Sequence, residues 1–223
     1  EGLKIASTLK DYIDFLKEND GRIMISPYDA IMLDKIRTNI LDHKRAYRII
    51  HPKLDCIYSS HHEFHINWEW EMLLERSGDL NPPELLQVKC KSLLDGLTLD
   101  FDHKKAVIYD LKTTQKLWHF EDSIDQYDYL RQLCYYKKAV LWYLKHECGE
   151  EDPLTWDFEY YIIGIDTTGS YEIRVFKIEP YVVNSRSIII HNALQEISWH
   201  QQHDLWDHSR AYYEGDGSEK LDL

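Results

Sequence analysis

The chain has 223 residues, with 26 Lys and Arg against 39 Asp and Glu and a formal net charge of −13. Apolar residues make up 43% and charged residues 29%, which excludes a disordered chain and suits a soluble globular one. No run approaches the ~20 apolar residues of a membrane span, and the acidic balance excludes a whole-surface nucleic-acid binder, because phosphate contacts need Lys and Arg. A local basic groove, or a metal site that itself supplies positive charge, stays compatible with this balance.

The length predicts one α/β domain over 1–223, with a helical part over 1–50 and a polar tail over 204–223. The start, Glu1-Gly2-Leu3-Lys4, carries no basic-then-apolar signal and no initiator Met, as expected of a fragment. Ser26-Pro27-Tyr28-Asp29 is a helix start, and Ile31, Leu33, Ile36, Ile40, Leu41 and Tyr47 follow at helical spacing up to His51-Pro52. Glu63 to Trp68 alternates with period two, and Ser77 to Pro83 reads as a loop. A long strand is predicted over Leu85–Phe101, a turn at Asp102–Lys105, and a returning strand over Ala106–Lys112. A helix over Ser123–His146 comes next. The strands Trp156–Asp166 and Tyr171–Ile178 then flank the turn Thr167–Ser170, and a last helix runs over Val183–His203 before an extended or mobile tail. This order makes an α/β fold with a central mixed sheet flanked by helices.

Cys56, Cys90, Cys134 and Cys148 contain no C-x-x-C pair, which excludes a zinc ribbon. They read as free thiols of a reducing cytosol, so the expected location is cytoplasmic. His61, His62 and His65 lie on a strand rather than on a helix face. They read as solvated strand-edge residues, not zinc ligands. Trp68, Trp70, Tyr135 and Tyr136 suit either a core or stacking on bases. Lys137, Lys138 and Lys145 suit either a phosphate track or a solvated face.

The chemistry-bearing stretch is Lys89-Cys90-Lys91-Ser92-Leu93-Leu94-Asp95-Gly96, followed by Ala106 to Thr114. Asp110 and Lys112 are two apart on a strand and project together. Pairing of that strand with the region of Asp95 would bring a second carboxylate to the same face. Two carboxylates and a carbonyl form a hard-oxygen site for Mg²⁺ or Mn²⁺. A neighbouring lysine can orient a water or stabilise charge developing on phosphorus. Taken alone, D-x-K with an upstream Asp also suits solvated edges.

Gln132 and Tyr136, four apart on one helix face, follow Lys112 by twenty residues. Here the sequence resembles the PD-(D/E)XK nuclease superfamily, in its Q-x-x-x-Y branch, and is similar to phage-type exonucleases of the exonuclease VIII kind. The matching series is Glu63…Trp68, Lys89-x-Lys91…Asp95, Asp110-x-Lys112-Thr113-Thr114, Gln132…Tyr136 and the segment Trp206 to Tyr213. The resemblance implies a restriction-endonuclease-like domain and a metal-dependent deoxyribonuclease. Asp95, Asp110 and the Leu111 carbonyl would be the metal ligands and Lys112 the catalytic lysine. Gln132, Tyr136, Thr113 and Thr114 would meet DNA, and Glu63 would be a metal or supporting residue. It further implies 5′ to 3′ digestion of double-stranded DNA ends leaving 3′ overhangs, a homo-oligomeric ring, a single-strand annealing protein as partner, no membrane, and host cytoplasm if phage-encoded. The family's upstream Gly-x-x-x-His is missing: Ile25 stands four after Gly21, and His43 and His51 are the remaining substitutes.

Overall fold

The structure, a computed structural model, describes residues 13–14, 17, 25–53, 55–74 and 84–217. The chain divides into two compact units, 1–38 and 39–223. The sheet and every element of the candidate site belong to the second unit. The loop expected at Ser77–Pro83, and most of the helix expected before Ile25, lie outside the described residues.

Helix α1 (Pro27–Asp42) starts where the sequence places it, with Ser26 Oγ accepting the Asp29 N–H at 3.1 Å. The expected single helix to Ile50 is broken at His43. Its extended backbone opens a second helix, α2 (Lys44–Ile50), and its Nδ1 accepts the Ala46 N–H at 3.1 Å. His43 is therefore the N-cap of α2.

Five strands form one sheet in chain order: β1 (Tyr58–Leu74), β2 (Glu84–Asp100), β3 (Lys105–Thr114), β4 (Asp157–Asp166) and β5 (Ile173–Ile178). Only β3 and β4 run parallel, as their long helical connection requires. The remaining neighbours are antiparallel. β1 extends well beyond the Glu63–Trp68 read from alternation, because its ladder with β2 continues to both ends. β4, between β3 and β5, is buried along Tyr160–Asp166 and so shows a continuous apolar run instead of alternation.

The helix predicted over Ser123–His146 is two helices, α3 (Phe120–Gln126) and α4 (Tyr129–His146). Asp128 separates them in the left-handed region, φ 46°, and its side chain caps α4 by accepting the Arg131 N–H at 3.3 Å. The stripe Leu130, Leu133, Val140 and Leu144 packs α4 on the sheet against Leu97, Ile108 and Tyr160. Each such side chain contributes roughly 2 kcal/mol by leaving water. The last predicted helix is likewise divided, into α5 (Pro180–Asn184) and α6 (Ser187–His203).

The described part of the tail, to Gly217, is not extended throughout. A short helix, α7 (Arg210–Glu214), lies against α6, with Tyr213 stacked on Trp199 and Arg210 N–H donating to Glu196 Oε1 at 2.9 Å. Among the described residues no helix is long and apolar enough to cross a membrane.

Candidate active site

Asp110 and Lys112 project from β3 on the face that carries Ala106 and Ile108, beneath α4. Asp110 is 2% exposed, and Lys112 Nζ lies 2.5 Å from its Oδ2. That contact is a close, charge-assisted ion pair away from solvent. Burial raises the Asp110 pKa to about 6. The nearby Lys112 ammonium opposes the shift and the Asp95 carboxylate adds to it. The ammonium also sits over the Tyr129 ring, 4.9 Å from its centroid.

Asp95 reaches this point because β2 and β3 part company. Their ladder covers Gly96–Asp100 with Lys105–Tyr109 and goes no further, while β3 continues alone beside β4 to Thr114. Just past the last pair, Asp95 Oδ2 accepts the Leu111 N–H at 2.6 Å, replacing the lost ladder acceptor by a carboxylate. Gly96 makes the junction. A Cβ there would lie 2.0 Å from the Tyr109 ring, whose hydroxyl meets His62 Nδ1 at 2.7 Å.

β1 is disturbed at the same level. Its register with β2 skips the Glu63–Asp95 pair, and Glu63 has φ 47°. Both strands change the parity of their core-facing side chains there. Leu86, Val88 and Leu94 are followed by Leu97 and Leu99, while His61 stacks on Phe64 three residues along. A left-handed Glu costs on the order of 1 kcal/mol. Nothing in the alternating pattern of Glu63–Trp68 announces it. Glu63 is exposed.

From α4, Tyr129, Gln132 and Tyr136 overlie the acids, with Gln132 Nε2 donating to the Tyr136 hydroxyl at 2.6 Å. Burial raises the Tyr136 pKa, a shift that the Gln132 hydrogen bond opposes. Charges on Asp110, Asp95 and Glu63 raise it further, so all three acids act on this phenol. Tyr136 is buried, while Gln132 is half-buried and borders an open groove of about 640 Å³ with Lys89, Lys91, Arg131 and Tyr135. The sequence placed Tyr129 on the helix stripe with Tyr136 but gave it no part in the site; its spacing of three before Gln132 puts it on the same helix face.

Other expected residues lie apart from this cluster. Thr113 alternates to the opposite face from Lys112 and is exposed. Thr114 is engaged locally, its Oγ1 accepting the Lys116 N–H at 3.0 Å. Trp68 and Trp70 belong to the core. Lys137 is tied to Asn184 Oδ1 at 2.9 Å. His61 is not solvated; its Nε2 is buried without a partner.

The donor set suits a hard divalent cation: a buried carboxylate beside the Lys112 ammonium, and a second carboxylate held by one backbone N–H. Asp95, Asp110 and the Leu111 carbonyl are the groups that would hold it. Among the described residues, the oxygens of Glu63, Asp95 and Asp110 do not all fall within 4.8 Å of one another.

No family model matches the chain, and no curated protein sequence matches it. A solved structure of a putative exonuclease from Eubacterium rectale is similar at 11% identity, covering 94% of this chain and 69% of that one, with a TM-score of 0.47.

Proposed function

We propose that this chain is a Mg²⁺- or Mn²⁺-dependent deoxyribonuclease that digests double-stranded DNA from an end, 5′ to 3′, leaving 3′ overhangs for recombination by annealing. The observation that carries this reading is the buried Asp110 paired with Lys112 on a strand whose intervening residue, Leu111, donates its N–H to Asp95. Burying a carboxylate raises its free energy unless a cation compensates it. A fold that does so beside a second acid, at a strand junction, is arranged for charge chemistry rather than for stability.

A divalent cation bound here supplies a water of lowered pKa and offsets charge on the scissile phosphate. Asp95 and Asp110 would hold that ion. Lys112 Nζ, one side chain away, positions the attacking water or neutralises charge developing on the phosphoryl oxygens. Gln132 fixes the Tyr136 hydroxyl and presents the rest of its amide to the groove, where Lys89, Lys91 and Arg131 offer cations to the DNA backbone. The Q-x-x-x-Y resemblance supports a DNA-end substrate, a ring-shaped homo-oligomer and an annealing partner.

The test is digestion of linear and covalently closed circular duplex with Mg²⁺ and with chelator. Mg²⁺-dependent shortening of the linear form alone supports the reading. Cutting of closed circles would make the chain an endonuclease, and binding of linear duplex without shortening would make it a DNA-end module on a nuclease-like scaffold.

A further inference from the structure

At the far end of β2 from Asp95, five residues and roughly 17 Å along the strand, a second polar cluster closes the turn into β3. Cys56 Sγ, an Asp100 carboxylate oxygen and a His103 ring nitrogen lie within 4.8 Å of one another, and among the described residues they are the one Cys/His/Asp/Glu trio that does so. The cluster is held from several sides. Asp100 Oδ1 accepts the His103 N–H at 3.0 Å, and Oδ2 lies 2.8 Å from His103 Nδ1. The segment carrying Cys56 is fastened to the same turn. Ile57 N–H donates to Asp102 Oδ2 at 3.1 Å, and Phe101 N–H donates to the Ile57 carbonyl at 3.0 Å. A thiol, a carboxylate and an imidazole gathered at one point are good ground for a cation that all three would ligate.

We infer that Cys56, Asp100 and His103 form a site for a single Zn²⁺-class ion, completed by one solvent ligand, that staples the start of β1 to the β2–β3 turn. Thiolate, imidazole and carboxylate together select a borderline-soft metal over Mg²⁺. Tetrahedral bonds of about 2.0–2.3 Å require the Asp100–His103 contact to lengthen by a few tenths of an ångström. That movement is open to His103, whose side chain is 72% exposed. Binding releases the thiol proton to solvent as the Sγ–metal bond forms, and His103 ligates through a deprotonated Nδ1, with its remaining proton on Nε2.

The test is titration of the full chain with Co²⁺ as probe, followed by absorbance and by melting temperature. The expected result is a thiolate-to-cobalt charge-transfer band with tetrahedral ligand-field bands at one ion per chain, and a raised melting temperature. Both should be lost in Cys56→Ser and weakened more than about 100-fold in His103→Ala, beyond the usual loss for outer-shell changes. The charge-transfer band should be unchanged in Asp110→Asn, which separates this site from the nuclease centre. Absence of the band, or its persistence in folded Cys56→Ser, overturns the assignment and leaves the cluster a hydrogen-bonded turn. Because His103 is exposed, its variant reports even where Cys56→Ser fails to fold.

Discussion

Asp95 Oδ2 accepts the Leu111 N–H at 2.6 Å, one step beyond the last β2–β3 ladder pair, so a carboxylate does the work of a strand carbonyl. The substitution opens the sheet where Asp110 and Lys112 emerge. It also makes Asp95 both a structural and a chemical residue. Asp95→Asn retains an acceptor oxygen and should cost little stability, while Asp95→Ala leaves the part-buried Leu111 N–H without this acceptor and should cost about 1 kcal/mol. Both should abolish cleavage. Denaturant unfolding read beside a linear-duplex assay checks the pair, and equal destabilisation by Asn and Ala would contradict it.

Asp110 gives a pH dependence of definite sign. Its folded pKa, about 6, lies above the ordinary carboxylate value of 3.8. Between those values the folded state therefore holds more proton than the unfolded one, and this group's contribution to stability falls as pH rises from about 4 to 6. Asp110→Asn removes that slope. In chelator, the variant should melt relatively higher than the parent at pH 7 than at pH 4, though it no longer cleaves DNA. A pH-independent difference in melting temperature would argue against a buried, charge-strained Asp110.

Asp166 behaves in the opposite sense. Hydrogen bonds from Ser170 and Thr168, the first with Oγ at 2.5 Å, lower its pKa to about 2. The stability it lends is present above about pH 4 and is lost as pH falls from there towards 2. Asp166→Ala should loosen the β4–β5 turn by about 1–3 kcal/mol at pH 7 and flatten the acid limb of the unfolding curve. An unaltered acid limb would contradict this.

Gly96→Ala should be among the most damaging small substitutions in the sheet. The new methyl would stand 2.0 Å from Tyr109, whose ring is 3% exposed and tethered to His62. Overpacking of this kind costs typically 1–3 kcal/mol. In a Tyr109→Ala background the same change should cost much less, and an undiminished cost would place the strain elsewhere.

The strands were legible in chain order because β3 to β5 keep apolar runs bounded by turn residues, and Asp110-x-Lys112 needed only the two-residue period. The breaks in the helices were not legible. Asp128 and His43 sit inside helical periodicity, and the backbone reversals there become visible only once tertiary packing sets their conformation. The irregularity at Glu63 and Asp95 was hidden for a related reason. A strand pattern predicts continued alternation, whereas here both strands switch faces together, which neither shows alone. Cys56, Asp100 and His103 were equally invisible, because the contact between the β1 start and the β2–β3 turn has no local signature.

The central claim is tested most directly by the initial rate at which linear duplex DNA is shortened in Mg²⁺ by the parent and by Lys112→Ala. With the fold shown intact by circular dichroism, the rate should fall by about 10²–10³-fold or more. Shortening by Lys112→Ala at the parent rate would contradict the assignment of the Asp95, Asp110 and Lys112 cluster as the cleavage centre.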